Sequence, residues 1–456
     1  MSLPNLPSRS EIAVVGAGIA GLAAAFHLQE RGHRVTVFEA SDHVGGRMLT
    51  ERSDGYVLDV CASMTTDRYV AMKGLIADAG LSGEFMPVSD SWGFLRDGEV
   101  RRINFQSAAN VLRTDLLSTK AKLRVLRSLA RILADRRNVE KVVAWYDISP
   151  ALDFDVETAR DYVFRLFGEE VSEYIIDPFM AAQSGASFEQ ISASDLLFLL
   201  NKYLGMNFFA SPHGMGFLPE ALAKQLDVRL NSPVCSVRES RDRTSVTVVH
   251  QKLDASETSE RYAACILAVP PGRAAAVAVD LDPKQKKYLR SVPCEPHIRV
   301  FLGLDRAPVE PATCIFVPRR ENPDTCAMIL EHNKAPGSAP QGKGLLGIYR
   351  RLEWNRRYWD ASDEEIVDVS VRDIGRILPD ILPDAVGAVG MSYVHRARPS
   401  LIWHAPGTLA DLASFTGSFD PNSRIQFAGD YFSMSGTGCA LASGEEAAKR
   451  LMGSSP

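Results

Sequence analysis

The chain has 456 residues, 46% hydrophobic and 23% charged, with a formal net charge of −5. That length exceeds one ordinary core, so two or three lobes are expected, and the composition excludes a disordered chain. The acidic balance argues against nucleic acid as a partner. Seven scattered cysteines without a C-x-x-C spacing argue for reduced thiols and a cytoplasmic protein, and against a disulfide frame or a metal site.

The opening MSLPNLPSRSE has no basic start followed by an apolar core, so no secretory signal is expected there. Residues 12–28 are apolar, but Gly16, Gly18 and Gly21 interrupt them and His27 arrives before the ~20 residues that a membrane span needs. Residues 11–39 read instead as strand, glycine turn, helix and strand, one βαβ unit with its two strands parallel. The three glycines form G-x-G-x-x-G. Gly16 makes the turn, Gly18 lets backbone approach a pyrophosphate, and Gly21 lets the helix lie close to the strand. The helix N-terminus around Ala20 then offers N–H groups and partial positive charge to the phosphates. Glu39, with Ala40 beside it, follows the second strand and is placed to bind a ribose 2′-OH. Gly45 and Gly46 can pass the chain close to the same pyrophosphate, and Arg47 can reach it with a fork of donors.

Residues 66–81 predict a helix ending near Gly80. From about 108 to 200 the pattern is helical, with an apolar spacing of Leu112, Leu116, Leu123, Leu126, Ala130 and Leu133. Eight Lys or Arg residues between 113 and 137 read as a solvated face, though a basic amphipathic helix leaves room for peripheral membrane contact. SPHGMGFLPEAL opens a helix at Pro219, short strands follow to 269, and strand-like runs alternate with turns from 295 to 350. EEIVDVSVRDIGRIL predicts a helix, and the tail returns to strand, loop and helix. The nucleotide-type pieces therefore fall in three stretches, separated by one mainly helical and one mainly strand-rich block.

His43-Val44-Gly45-Gly46-Arg47, PHGMGFLPEAL, ACILAVPP and FAGDYFSMSGTGCALASGEEAAKRL together resemble the FAD superfamily of amine oxidases, protoporphyrinogen oxidases and phytoene desaturases. The resemblance implies an α/β fold. Residues 1–90, 214–285 and 395–456 would form a discontinuous Rossmann-type FAD-binding domain. Residues 91–213, a helical insertion, and 286–394, a strand-rich one, would form a mixed α+β substrate domain. It also implies that Val234 contacts the adenine, that Gly429 and Asp430 approach the ribityl or pyrophosphate region, and that the helix near Gly438 aims N–H groups at the flavin. Departures are informative. The stretch 400–415 has no cysteine, which implies non-covalent FAD. Gly436 stands where amine oxidases place an aromatic wall, and His297 and Arg299 stand near their flavin-side lysine. The weak catalytic candidates are Trp403, His404 and Arg299, while Cys439 reads as a packing residue. The resulting expectation is an oxidoreductase that dehydrogenates a cyclic or hydrophobic metabolite by hydride transfer to flavin N5, with oxygen as acceptor. Amine or amino-acid oxidation and a non-catalytic FAD-binding scaffold are the alternatives.

Overall fold

The computed structural model describes residues 6–103, 113–203, 205–381, 388–420 and 422–453. Two sheets organise it. In the first, Glu11–Val15 pairs in parallel with Arg34–Phe38 on one side and Ala264–Leu267 on the other. Asp227–Arg229 and Ile425–Phe427 complete the two edges, also in parallel. Ile12, Ala13 and Val14 are fully buried, as a strand covered on both faces requires. The helix Ile19–Glu30 leaves this strand at Gly21, where a Cβ would lie 2.0 Å from the Gly16 carbonyl oxygen. Any other residue there would push helix and strand apart.

The second sheet has seven strands in the order Val389–Ile402, Cys294–Leu304, Gly344–Arg350, Thr325–Leu330, Cys314–Phe316, Trp92–Arg96 and Glu99–Ile103. The last two form a hairpin ahead of the helical block and join strands that lie some two hundred residues later in the chain. The pleat divides the sheet. Ile298, Val300, Leu302, Ile315, Met328 and Ile348 face the helix Asp363–Ile377 through Ile366 and Ile374. The opposite face carries His297, Arg299, Tyr349, Ala327, Phe316 and Phe94.

Below that face lies a chain of buried charges. The Arg299 guanidinium donates to Glu331 Oε1 at 2.9 Å, and Lys334 Nζ lies 2.6 Å from Glu331 Oε2 and 2.7 Å from Asp59 Oδ2. Gly347 makes room for it, since a Cβ there would sit 2.4 Å from Glu331 Oε1. Asp59 also accepts from Thr50 Oγ1 and the Met215 N–H, both at 2.7 Å, so the network ties the sheet to the segments flanking the FAD-type motifs.

Two expectations need correction. The helix predicted at Pro219 begins at Phe217. The long basic helix spans Thr119–Val142, capped by Ser118, and it does not bury the leucine stripe assigned to it. Leu123 and Leu126 are about half exposed, whereas Ala121, Ile132, Asp135 and Val139 are buried. With the half-buried Val125 and Ser128 between Ala121 and Ile132, this seam alternates steps of four and three residues and carries a polar member, Asp135, which accepts a 2.7 Å bond from Tyr162 Oη. Leu112 and the start of the predicted helical stretch lie outside the described residues. Among the described residues no helix is long and apolar enough to cross a membrane.

Replacing Glu331 by Gln leaves two buried cations without their shared counter-ion. The expected cost is about 3–5 kcal/mol, read as a lowered thermal midpoint of the purified protein. An unchanged midpoint would show that the network is not a structural anchor.

Candidate active site

Between the sheets lies a cavity of about 1230 Å³, larger than the roughly 300–1,000 Å³ common for one small ligand. It has room for a cofactor and a substrate. One half is built from backbone. Gly18, Ile19 and Ala20 at the start of the first helix and Gly436, Thr437 and Ala440 at the start of the last, Thr437–Leu451, line the same space. Neither helix has a capping side chain or an acidic residue in its first turn, so both present N–H groups and partial positive charge to the cavity. A Cβ on Gly18 would meet nothing within 4 Å, which leaves the approach to that helix end open.

Glu39 sits at the rim of this half. Its carboxylate accepts from the Ala17 N–H at 2.7 Å and the Ser41 N–H at 2.9 Å. A carboxylate has about four acceptor positions, so capacity remains for ribose hydroxyls. Arg47 forms a forked pair with Asp430, Nη1 to Oδ2 at 2.6 Å and Nη2 to Oδ1 at 2.7 Å, and donates to the Ser400 carbonyl at 2.8 Å. Burial disfavours its charge, but the adjacent carboxylate outweighs that and holds the guanidinium above its ordinary value. The donor set fits a dinucleotide: N–H groups for a diphosphate, an acid for a ribose, and a second helix end for charge on a flavin ring.

The structure brings together Gly16, Gly18, Ala20, Glu39, Ala40, Gly46, Arg47, Val234, Gly429 and Asp430 around this half. Val234 is there with its carbonyl taken by Arg273 Nη2 at 2.7 Å, a partner the sequence did not suggest. Gly438 is placed differently. It abuts Tyr69, whose ring atom would lie 2.2 Å from an added Cβ, so the glycine makes room for that tyrosine, itself a lining residue. The three catalytic candidates do not line the cavity either. His404 is buried, with Nδ1 3.1 Å from Asp195 Oδ1 and its backbone N–H donating to Oδ2 at 2.9 Å. Trp403 packs against the neighbouring core. Arg299 lies one layer deeper, beneath Tyr349. Burial pushes the Cys439 thiol up to about 12, which suits an inert packing role.

The other half is side chains. Trp92, Phe94, Phe179, Phe208 and Phe316 line it, with ring centroids 5.0 Å apart for Trp92–Phe208 and for Phe94–Phe316.

Residues 19–452 match the family described as flavin containing amine oxidoreductase. Protoporphyrinogen oxidase 2 of Arabidopsis thaliana is 31% identical over 186 residues, 41% of this chain and 34% of that protein. An L-amino-acid oxidase of Siganus canaliculatus is 24% identical over 410 residues, covering 82% of this chain and 72% of the fish protein. The fold also matches cyclohexylamine oxidase from Brevibacterium oxydans, with a TM-score of 0.74 at 17% identity over 97% of this chain and 99% of that one. The matched stretches span less than half the length of the two plant protoporphyrinogen oxidases. This chain belongs to the flavin-containing amine oxidoreductase family. Its cofactor is FAD, held without a covalent link.

The Glu39→Arg variant should purify without flavin and fail to take up added FAD, because its cation displaces the acid from the ribose position. A normal flavin spectrum in that variant would refute the placement. His404 gives a second expectation. Burial opposes its charge, but Asp195, then Asp155 and Asp430, raise its pKa. A raised folded value stabilises the fold fully below the unfolded value of about 6.5, and that contribution is lost as pH rises through the folded value. The stability difference between wild type and His404→Asn should therefore shrink as pH rises above about 6.5. Thermal midpoints across that range check it, and a constant difference would contradict it.

Proposed function

We propose that this FAD-dependent oxidoreductase dehydrogenates a cyclic, hydrophobic small molecule, with oxygen as the electron acceptor. The five-ring nest is the observation that carries this reading. Bound FAD supplies the acceptor for an electron pair, taken as hydride at its N5 position. The nest buries the apolar area of a ring system at about 25 cal/mol per Å² and keeps water from the reacting bond. The uncapped end of the last helix favours negative charge on the cofactor side. Holding a donor C–H against the acceptor in a dry pocket contributes most of what such a transfer needs from the protein.

Amino-acid oxidation would require a cation for the substrate carboxylate. The lining arginines are engaged elsewhere: Arg47 with Asp430, Arg273 with Val234, and Arg396 with Asp363 and two carbonyls. Arg398 is exposed and lies over Trp359. Amine oxidation is the second reading, because aromatic rings can also cage an ammonium group.

The visible spectrum of the anaerobic protein, with and without cyclic non-amines, amines and amino acids, decides between these. Bleaching of the flavin band by a cyclic non-amine is the expected result. Bleaching by amines or amino acids alone would replace the proposal, and a band that nothing bleaches would point to a scaffold. With a substrate in hand, Phe316→Ala should raise KM about tenfold, the equivalent of roughly 1.4 kcal/mol.

A further inference from the structure

The floor of the cavity is one register row across six strands. His395 pairs with Arg299, Arg299 with Tyr349, Tyr349 with Ala327, Ala327 with Phe316, and Phe316 with Phe94. All but Arg299 line the cavity. The row begins on the strand that ends beside Ser400, the partner of Arg47, and finishes in the aromatic nest. Its polar members therefore stand where the flavin half meets the apolar half. His297, on the same face and also lining the cavity, is 5.8 Å from the Tyr349 ring.

We propose that Tyr349 and His297 recognise an uncharged polar group, such as a hydroxyl, carbonyl or ring N–H, carried by the substrate's hydrophobic ring. This rests on the hydrophobic-ring reading above and narrows it. The hydrogen-bond chain allows Tyr349 to turn its proton toward the cavity. Arg299 can only donate, and its Nη2 lies 3.4 Å from Ser63 Oγ, which is 2.8 Å from Tyr349 Oη. With Ser63 accepting from Arg299 and donating to Tyr349, the phenol proton is free to point into the cavity. The Arg299 guanidinium carbon also lies 3.4 Å from the centroid of the Tyr349 ring. A cation on the ring face makes the phenol a stronger donor and opposes a second cation above it.

His297 supplies the complementary group. Only 2% of it is exposed, and its Nδ1 has no hydrogen-bond partner among the described residues. An orphaned polar atom at that depth is destabilising unless a ligand satisfies it. Burial, then Arg299 and His395, push its pKa down to about 3, so the ring is neutral and can both donate and accept. Neither residue offers the negative charge that an ammonium group would need.

Calorimetric titration of the FAD-loaded protein under anaerobic conditions tests this with three probes: naphthalene, 2-naphthol and protonated 2-naphthylmethylamine. The wild type should bind 2-naphthol at least tenfold more tightly than naphthalene and the ammonium probe most weakly. Tyr349→Phe, which keeps the ring over Arg299, and His297→Leu should each reduce the naphthol preference severalfold while leaving naphthalene affinity unchanged. Equal binding of naphthol and naphthalene by the wild type would overturn the polar pair yet leave the hydrophobic reading standing. A preference that survives both substitutions would do the same. If only the ammonium probe bound, the hydrophobic-ring reading itself would fall. The wild-type ratio is decisive even if a variant does not fold.

Discussion

Arg47 and Asp430 are 383 positions apart in sequence and meet in a forked ion pair. Around that pair the chain has to close. Arg47 follows the first βαβ unit, Asp430 opens the final motif, and the Ser400 carbonyl that Arg47 also engages lies near the end of the longest strand of the second sheet. Three segments that diverge elsewhere are thus fixed at one point on the cavity wall. Arg47 is about one-third exposed on its side chain, so the pair's importance is geometric more than energetic. A fork-to-fork contact specifies orientation in a way that a lysine could not.

The pair also changes how the cofactor half works. Reading the sequence, Arg47 is a donor to phosphate. In the structure its two terminal nitrogens are already spent largely on Asp430, and the positive character open to a diphosphate comes from the end of the first helix instead. That division is physically economical. Backbone N–H groups at a helix start have no other partner, and they approach a ligand more closely than a long side chain can. The second half depends on a different constraint. The buried network of Arg299, Glu331, Lys334 and Asp59 is a poor source of net stability against a packed apolar alternative. It does fix the height of Arg299 beneath Tyr349, and thereby the polarity of the cavity floor.

Local patterns were legible and non-local ones were not. The glycine turn and Glu39 could be read because they are backbone constraints within thirty residues of one another. Gly45, Gly46 and Arg47 were legible for the same reason. The hairpin Trp92–Ile103 falls in the stretch expected as a helical insertion, and nothing local shows that it joins strands from the third quarter of the chain. The row from His395 to Phe94 needs the register of five strand pairs, and no spacing in the sequence encodes that. The basic helix failed for another reason. Two stripes fit the helical period, and the apolar one looked better. The stripe that is buried includes Asp135, whose burial is acceptable only because Tyr162 and Arg131 answer it. The neighbour that requires a glycine at position 438, Tyr69, comes from the other end of the chain and could not be read from the motif.

The proposed function makes the kind of substrate turn on a small number of positions along one sheet. A cationic substrate entering a closed apolar cavity must lose its hydration, and in a low dielectric that loss is large unless a counter-charge replaces the water. Among the described residues three carboxylates line the cavity wall: Asp430 is neutralised by Arg47, Glu39 is bonded to two backbone N–H groups at the far end, and Asp90 stands two residues from Trp92 of the nest. Aromatic rings return part of the cost through their quadrupoles, but the Tyr349 ring already carries a guanidinium on one face. The same arrangement costs a neutral ring nothing. Its apolar area is welcomed by the nest, and its polar group finds donors that water would otherwise have to satisfy. On the proposed reading, the electrostatics of one buried arginine, acting through the tyrosine above it, favours neutral over charged substrates without either ligand touching the arginine.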